Sequence, residues 1–426
     1  MADRLAVTNN VPPHPNSVEL FEEGLRRGRG RAILHLRACD QATRERYREV
    51  ILTACATDQR YDRQTEPFRG PYLWDVLQAT QEPAWYAPHL AARLTAPLLQ
   101  QKQLAYLCGA LTYHDLADFR EPLYAACEHD LLAGNTDIAE ELLPWEGQTA
   151  WRFVLEHAPE SIEHWQLWSL FEELGEQHGK QTARHACDDN PALRQAMGAL
   201  LRQERLERQK NRRRWRSKPE PSPTYANMMD SLYQRHPLPY GWQKDSALIK
   251  RLAGAPPTET EALRRWLLLF RTKPFPLDPA PLLALTHHQD RPVAWRALRA
   301  LAPLTDERIR SRALALAHSQ SPLRWAVPLL LAKNSKTSDI ALLQTLLDEC
   351  QEDDALEDFG LSFFRYLEAN ADALLVPLLL RLFEKTPCSV CRCSFATALH
   401  KRGALTPELL EECRWDCNED TRALVI

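Results

Sequence analysis

The sequence predicts an all-α protein, and three features of its composition carry that prediction. Leu and Ala dominate, while Val and Ile together make up fewer than one residue in twenty. β-branched residues favour strands; Leu, Ala, Arg, Glu and Gln favour helices. Glycine is scarce, at 14 residues in 426, which leaves few places for the tight hairpin turns of a sheet. Proline is plentiful, at 30 residues. It suits the first turn of a helix, where its missing N–H goes unused. Many short helices are expected.

The elements follow in order. A tail over 1–16 is polar, proline-rich and expected to be disordered. Asn16 or Ser17 announces a first helix through "VELFEEGLRRG". "ATRERYREVILTACATD" places Tyr47, Val50, Ile51 and Ala54 on one helical face. "GPYLWDVLQAT" and "EPAWYAPHLAARL" each open near a proline. "REPLYAACEHDLLAGN" ends on Gly134-Asn135, a C-cap signal. Further helices run to about residue 190, and Asn190-Pro191 opens a longer one that ends in a basic run. Pro219, Pro221 and Pro223 then stop it, because proline cannot extend a helix. The sequence therefore divides into an N-terminal helical domain over 17–216, a proline-rich linker over 217–224 and a C-terminal helical domain over 225–426.

The C-terminal domain carries an internal repeat. "HHQDRPVAWRALRALAPL" aligns with "AHSQSPLRWAVPLLLAKN", pairing Pro292-Val293 with Pro322-Leu323 and Trp295 with Trp325. "DDALEDFGLSFFRYLEAN" supplies a middle unit, and Val390 and Thr421 fall at matching places in later ones. Two helices per unit at about this period is a solenoid pattern. Over roughly 280–426 the sequence resembles HEAT and HEAT-like repeats. The resemblance implies an α-α superhelix, a HEAT-like helical-repeat solenoid.

Composition also excludes functions. The net charge of −4 removes bulk attraction for polyanions, so any nucleic-acid role needs a local patch. There is no apolar run long enough for a membrane span and no secretory leader at the start, so no membrane partner is expected. The 11 cysteines are expected to be reduced thiols of a cytoplasmic protein.

Five groups of residues can carry chemistry. Arg205, Arg208, Lys210, Arg212, Arg213, Arg214 and Arg216 crowd around Trp215. Such a helix end can contact phosphates and stack a base. It can equally complement a helix dipole and lie solvated, which is the reading adopted. Cys388 and Cys391 form a C-x-x-C pair, with Cys413 and Cys417 further on, a spacing that suits zinc. No glycine turn accompanies them, and small buried cysteines are common in helical repeats. No metal and no cofactor are therefore expected. Arg26, Arg27, Arg29 and Arg31 surround a Gly-Arg-Gly turn that reads as a helix C-cap. Tyr61, Asp62, Glu66, Arg69, Tyr72 and Asp75 form a polar-aromatic stretch. It suits a groove or a loop held by an Arg–carboxylate pair. His114-Asp115 and His129-Asp130 lack the further ligands that a metal hydrolase needs.

These observations lead to a non-catalytic scaffold that binds another protein over an extended helical surface. Which protein is unknown. The first alternative is a nucleic-acid-binding repeat protein that uses the central arginines weakly. The second is enzymatic. Trp295, Trp325 and Trp415-Asp416 are similar to the aromatic and acidic residues of HEAT-like DNA glycosylases, but the tryptophans recur at repeat spacing, as packing residues do.

Overall fold

The computed structural model describes residues 17–94, 101–159, 161–188, 190–217, 223–370 and 373–425, without the side chains of 101, 211–217 and 272. The tail over 1–16 and most of the proline-rich segment over 217–224 lie outside the described residues. Helix accounts for 72% of the chain and no strand occurs among the described residues, so the fold is all-α. No described helix is long and apolar enough to cross a membrane.

Local chemistry sets the helix boundaries. Ser17 accepts from Leu20 N at 3.3 Å and starts the helix Val18–Arg26. Gly28, at φ +66°, closes that helix at the Gly-Arg-Gly turn and leads into the helix Gly30–Ala38, which was not among the expected elements. Asp40 caps Gln41–Arg46 by accepting from Thr43 N at 2.8 Å. Tyr47 interrupts that helix before Arg48–Ala56, yet Tyr47, Ile51 and Ala54 are buried together as their spacing requires. The helix Arg120–Leu132 ends at Gly134, whose φ of +85° lets Asn135 N donate to Asp130 O at 3.0 Å. The 27-residue helix Pro191–Ser217 begins at the expected proline.

The chain forms two compact units, Met1–Ser217 with Leu405–Ile426, and Lys218–Ala404. The sequence assigned 225–426 to one domain, and here the structure differs. Residues 405–426 pack within the first unit, where Cys417 N donates to Gly28 O at 2.9 Å. A buried ion pair holds the helix Pro407–Arg414 against Gly30–Ala38. Neither contact has a local sequence signature.

In the second unit the helix Thr260–Thr272 packs on Arg291–Leu301, and that helix on Val327–Leu331. Val327–Leu331 packs in turn on Asp353–Ala369, and that helix on Ser389–His400. The intervening helices Glu307–Ala317 and Val376–Lys385 pack beside their sequence neighbours. A buried two-point ion pair ties successive segments together: Arg310 Nη1 and Nη2 donate to Asp339 Oδ2 and Oδ1 at 2.5 and 2.6 Å. Trp295 lies in an α-helix, whereas its aligned partner Trp325 lies in the 3-10 turn Pro322–Ala326.

Candidate functional site

The basic helix contributes two of its cations to a groove of the first unit. Arg205 and Arg208 line a cleft of about 420 Å³ with Trp168, Lys180, Arg184, Glu172 and Glu204. Arg208 is already engaged there. Its Nη2 lies 3.8 Å from Glu172, its Nε donates to Glu204 at 2.5 Å, and its guanidinium sits 5.5 Å from the Trp168 ring centre. Lys210 is exposed. Arg212, Arg213, Arg214, Trp215 and Arg216 have side chains outside the described residues.

Three other singled-out stretches meet in one buried polar cluster of the first unit. Glu412 accepts from Arg29 Nε at 2.7 Å, and from Arg31 Nε at 3.0 Å and Nη2 at 2.7 Å. Burial alone would raise the Glu412 pKa, but the charges and hydrogen bonds of Arg29 and Arg31 overcome it and hold the group at about 2. Tyr72 donates from its hydroxyl to Arg29 O at 2.9 Å. Arg69 donates to Arg26 O at 3.4 Å and to Glu66 at 3.2 Å. Glu66 also accepts from the backbone N–H of Tyr61 at 2.5 Å and of Asp62 at 3.2 Å. Asp75 pairs with Arg422 at 3.0 Å. The Gly-Arg-Gly turn and the polar-aromatic stretch are thus bonded to the chain itself. Their arginines face carboxylates and backbone carbonyls, so the cluster acts as a clasp.

The second unit holds a cleft of about 210 Å³ lined by Arg271, Arg299, Lys333 and Arg365, with Glu368. Arg271 and Arg299 sit in the last turns of their helices and Lys333 just past its own, where the helix dipole favours positive charge, whereas Arg365 stands before the last turn of its helix. The dipole accounts for cations at helix ends. It does not account for four of them converging on one cleft. Arg365 pairs with Glu368 at 2.9 Å. Among the described residues Arg271, Arg299 and Lys333 have no carboxylate partner. Burial pulls the Arg299 pKa below the usual arginine range, and the charges of Arg271, Arg365 and Arg296 add to the effect. The sequence reading missed this cleft. Its signal was a basic residue recurring once per unit at 271, 299, 333 and 365.

The four cysteines whose spacing suits zinc do not lie in one unit. None of the eleven is in a disulfide. Cys413 and Cys417 belong to the first unit, and Cys388 and Cys391 to the second. The latter two gather with Glu357, all three donor atoms lying within 4.8 Å of one another. Glu357 was absent from the sequence candidates.

Of the remaining candidates, Asp115 and His129 are exposed, and several others have structural partners. His114 stacks on Trp74 at 5.0 Å. Asp130 is buried and accepts from Ile138 N at 3.1 Å. Asp416 is buried, accepts from Asn418 N at 2.9 Å, and lies in the first unit beside Trp415, whose ring is covered by Arg37. Trp295 and Trp325 lie in the second unit. No family model, curated protein or solved structure matches the chain.

Proposed function

We propose that the protein is a non-catalytic, cytoplasmic helical-repeat scaffold whose second unit binds an acidic segment of a partner protein. One observation carries the reading: four cations from successive packed helices face one cleft, and three of them have no carboxylate partner among the described residues. Like charges held together raise the free energy of the empty cleft, and an anionic partner relieves it. The helix order supports a repeat. Helices or 3-10 turns start at Arg291, Pro322, Asp353, Ser389 and Glu419; in the second unit the Pro322–Ala326 turn packs on the helix Asp353–Ala369, and that helix on Ser389–His400. This is the stacking expected of a HEAT-like solenoid.

An extended acidic peptide fits better than nucleic acid because the cleft is small and offers no aromatic ring for a base to stack on. A second reading, nucleic-acid binding by the basic helix, has Trp168, Lys180, Arg184 and Arg205 in its favour. Glu172 and Glu204 in the same groove oppose it.

Capture from native lysate, with and without nuclease, tests the proposal. Full-length protein and an R299A/K333A variant serve as baits. A protein retained after nuclease by the wild type and lost by the variant supports it. Partners that vanish with nuclease favour the second reading.

A further inference from the structure

We infer that Glu357, Cys388 and Cys391 form a zinc site in the second unit, with water as the fourth ligand. The inference begins with the turn before each second helix of the repeat. Asp290, Ser321 and Asn418 occupy that turn in three units and cap their helices with a side-chain oxygen, accepting from Val293 N, Leu323 N and Thr421 N, whereas Glu352 in a fourth unit makes no side-chain cap. Cys388 occupies the equivalent turn, and its thiol does not cap the helix Ser389–His400. It is hydrogen-bonded instead with Cys391, one helical turn on. Cys391 Sγ lies 3.1 Å from Glu357 Oε1, which the neighbouring helix Asp353–Ala369 presents. Two thiols and a carboxylate therefore face one point, with every donor atom within 4.8 Å of the others. Donors about a tetrahedral zinc stand roughly 3.3–3.8 Å apart, given bonds of ~2.0–2.3 Å, so small side-chain shifts suffice.

The chemistry of the set selects the metal. Two thiolates favour zinc over magnesium or calcium, and one carboxylate completes a three-donor set of a kind zinc accepts. Cys388 and Cys391 are 3% and 5% exposed, whereas Glu357 is half-buried. The metal and its water thus have an approach on the carboxylate side. The helix N-terminus beneath Cys388 and Cys391 adds a positive end that favours thiolates. Without metal, the hydrogen bond with Cys388, burial and the Glu357 charge push the Cys391 thiol pKa up. Binding then replaces two S–H protons by one Zn²⁺, and both protons leave to water.

The test uses the full-length protein, reduced with a phosphine and freed of metal by a chelator. Zn²⁺ is titrated against a chromophoric chelator, and Co²⁺ is titrated separately by absorbance. We expect about one metal per chain, with Co²⁺ bands of thiolate charge transfer and tetrahedral coordination. C388S and C391S should each abolish those bands. E357Q should weaken Zn²⁺ binding by more than the ~10-fold typical of losing an outer-shell partner. C393S, C413S and C417S should bind as the wild type does. Because buried substitutions can unfold the unit, circular dichroism is recorded on each variant, and the wild-type Co²⁺ spectrum stands as evidence without any substitution. Absence of thiolate bands in the reduced wild type overturns the site. So does zinc binding that survives both C388S and E357Q.

Discussion

Replacing Glu412 with Gln should unfasten the clasp of the first unit. The side chain is buried and accepts three charged hydrogen bonds from Arg29 and Arg31. Its pKa falls from the ordinary 4.5 to about 2. At ~1.4 kcal/mol per pKa unit this corresponds to about 3 kcal/mol of stability at neutral pH. The penalty for leaving two guanidiniums desolvated has the same sign and a similar size. For a unit of this size, at roughly 2–4 °C per kcal/mol, Tm should fall by roughly 6–12 °C. Differential scanning fluorimetry reads that shift. Hydrogen exchange should localise it to peptides covering 24–38 and 405–425. A matched control is Glu411→Gln, since Glu411 pairs with Arg414 on a half-exposed surface and should matter by ~1 kcal/mol or less. The pH dependence follows in sign. A depressed carboxylate pKa gives stability that is complete above about 4.5 and lost as pH falls toward about 2. Glu412→Gln should remove that acid-sensitive component. A Tm within 1–2 °C of wild type, or an equal fall in the Glu411→Gln control, would refute the clasp.

Further expectations can be checked alongside. Gly30→Ala should destabilise the first unit at least as much, because its Cβ would lie 1.9 Å from the Glu412 carbonyl oxygen; thermal melting of that single variant decides. Glu141 is buried and its pKa is pushed up to about 8, so the folded state keeps a proton that the unfolded chain releases above its ordinary 4.5. Stability should therefore decline as pH rises from about 4.5 through about 8, and Glu141→Gln should flatten that decline in urea titrations across pH. Asp339→Asn should cost the second unit ~3–5 kcal/mol by leaving buried Arg310 without its carboxylate, read as a lower urea midpoint.

How much of this was legible depends on the range of each interaction. Most of the helices were, because leucine spacing, proline and caps such as Ser17 and Gly134 act within a turn or two. The break at Tyr47 was not, since helical propensity runs on through it and packing decides. The clasp had no local trace. Glu412 lies 383 residues from Arg29, so no periodicity connects them, and the C-terminal segment was read as part of the repeat it follows. The cationic cleft was half-visible. Arg271, Arg299, Lys333 and Arg365 recur along the sequence, but only the helix register shows that they share a face. Glu357 was hidden for the same reason: cysteine spacing shows only donors that are near in the chain, and the third donor comes from a neighbouring helix 34 residues earlier.

The acidic-partner proposal is tested most directly by fluorescence anisotropy with a labelled glutamate-rich peptide of about twelve residues, alongside single-stranded DNA and RNA. Each is titrated at low and near-physiological salt against the wild type and R299A/K333A. We expect the peptide to bind the wild type and the double variant to weaken it by roughly tenfold or more, in line with desolvated charge contacts of ~1.5 kcal/mol or above. DNA and RNA should bind weakly, without sequence preference, and be released near physiological salt. A peptide that fails to bind even at low salt, or tight and salt-resistant nucleic-acid binding that the cleft substitutions leave unchanged, would contradict the account.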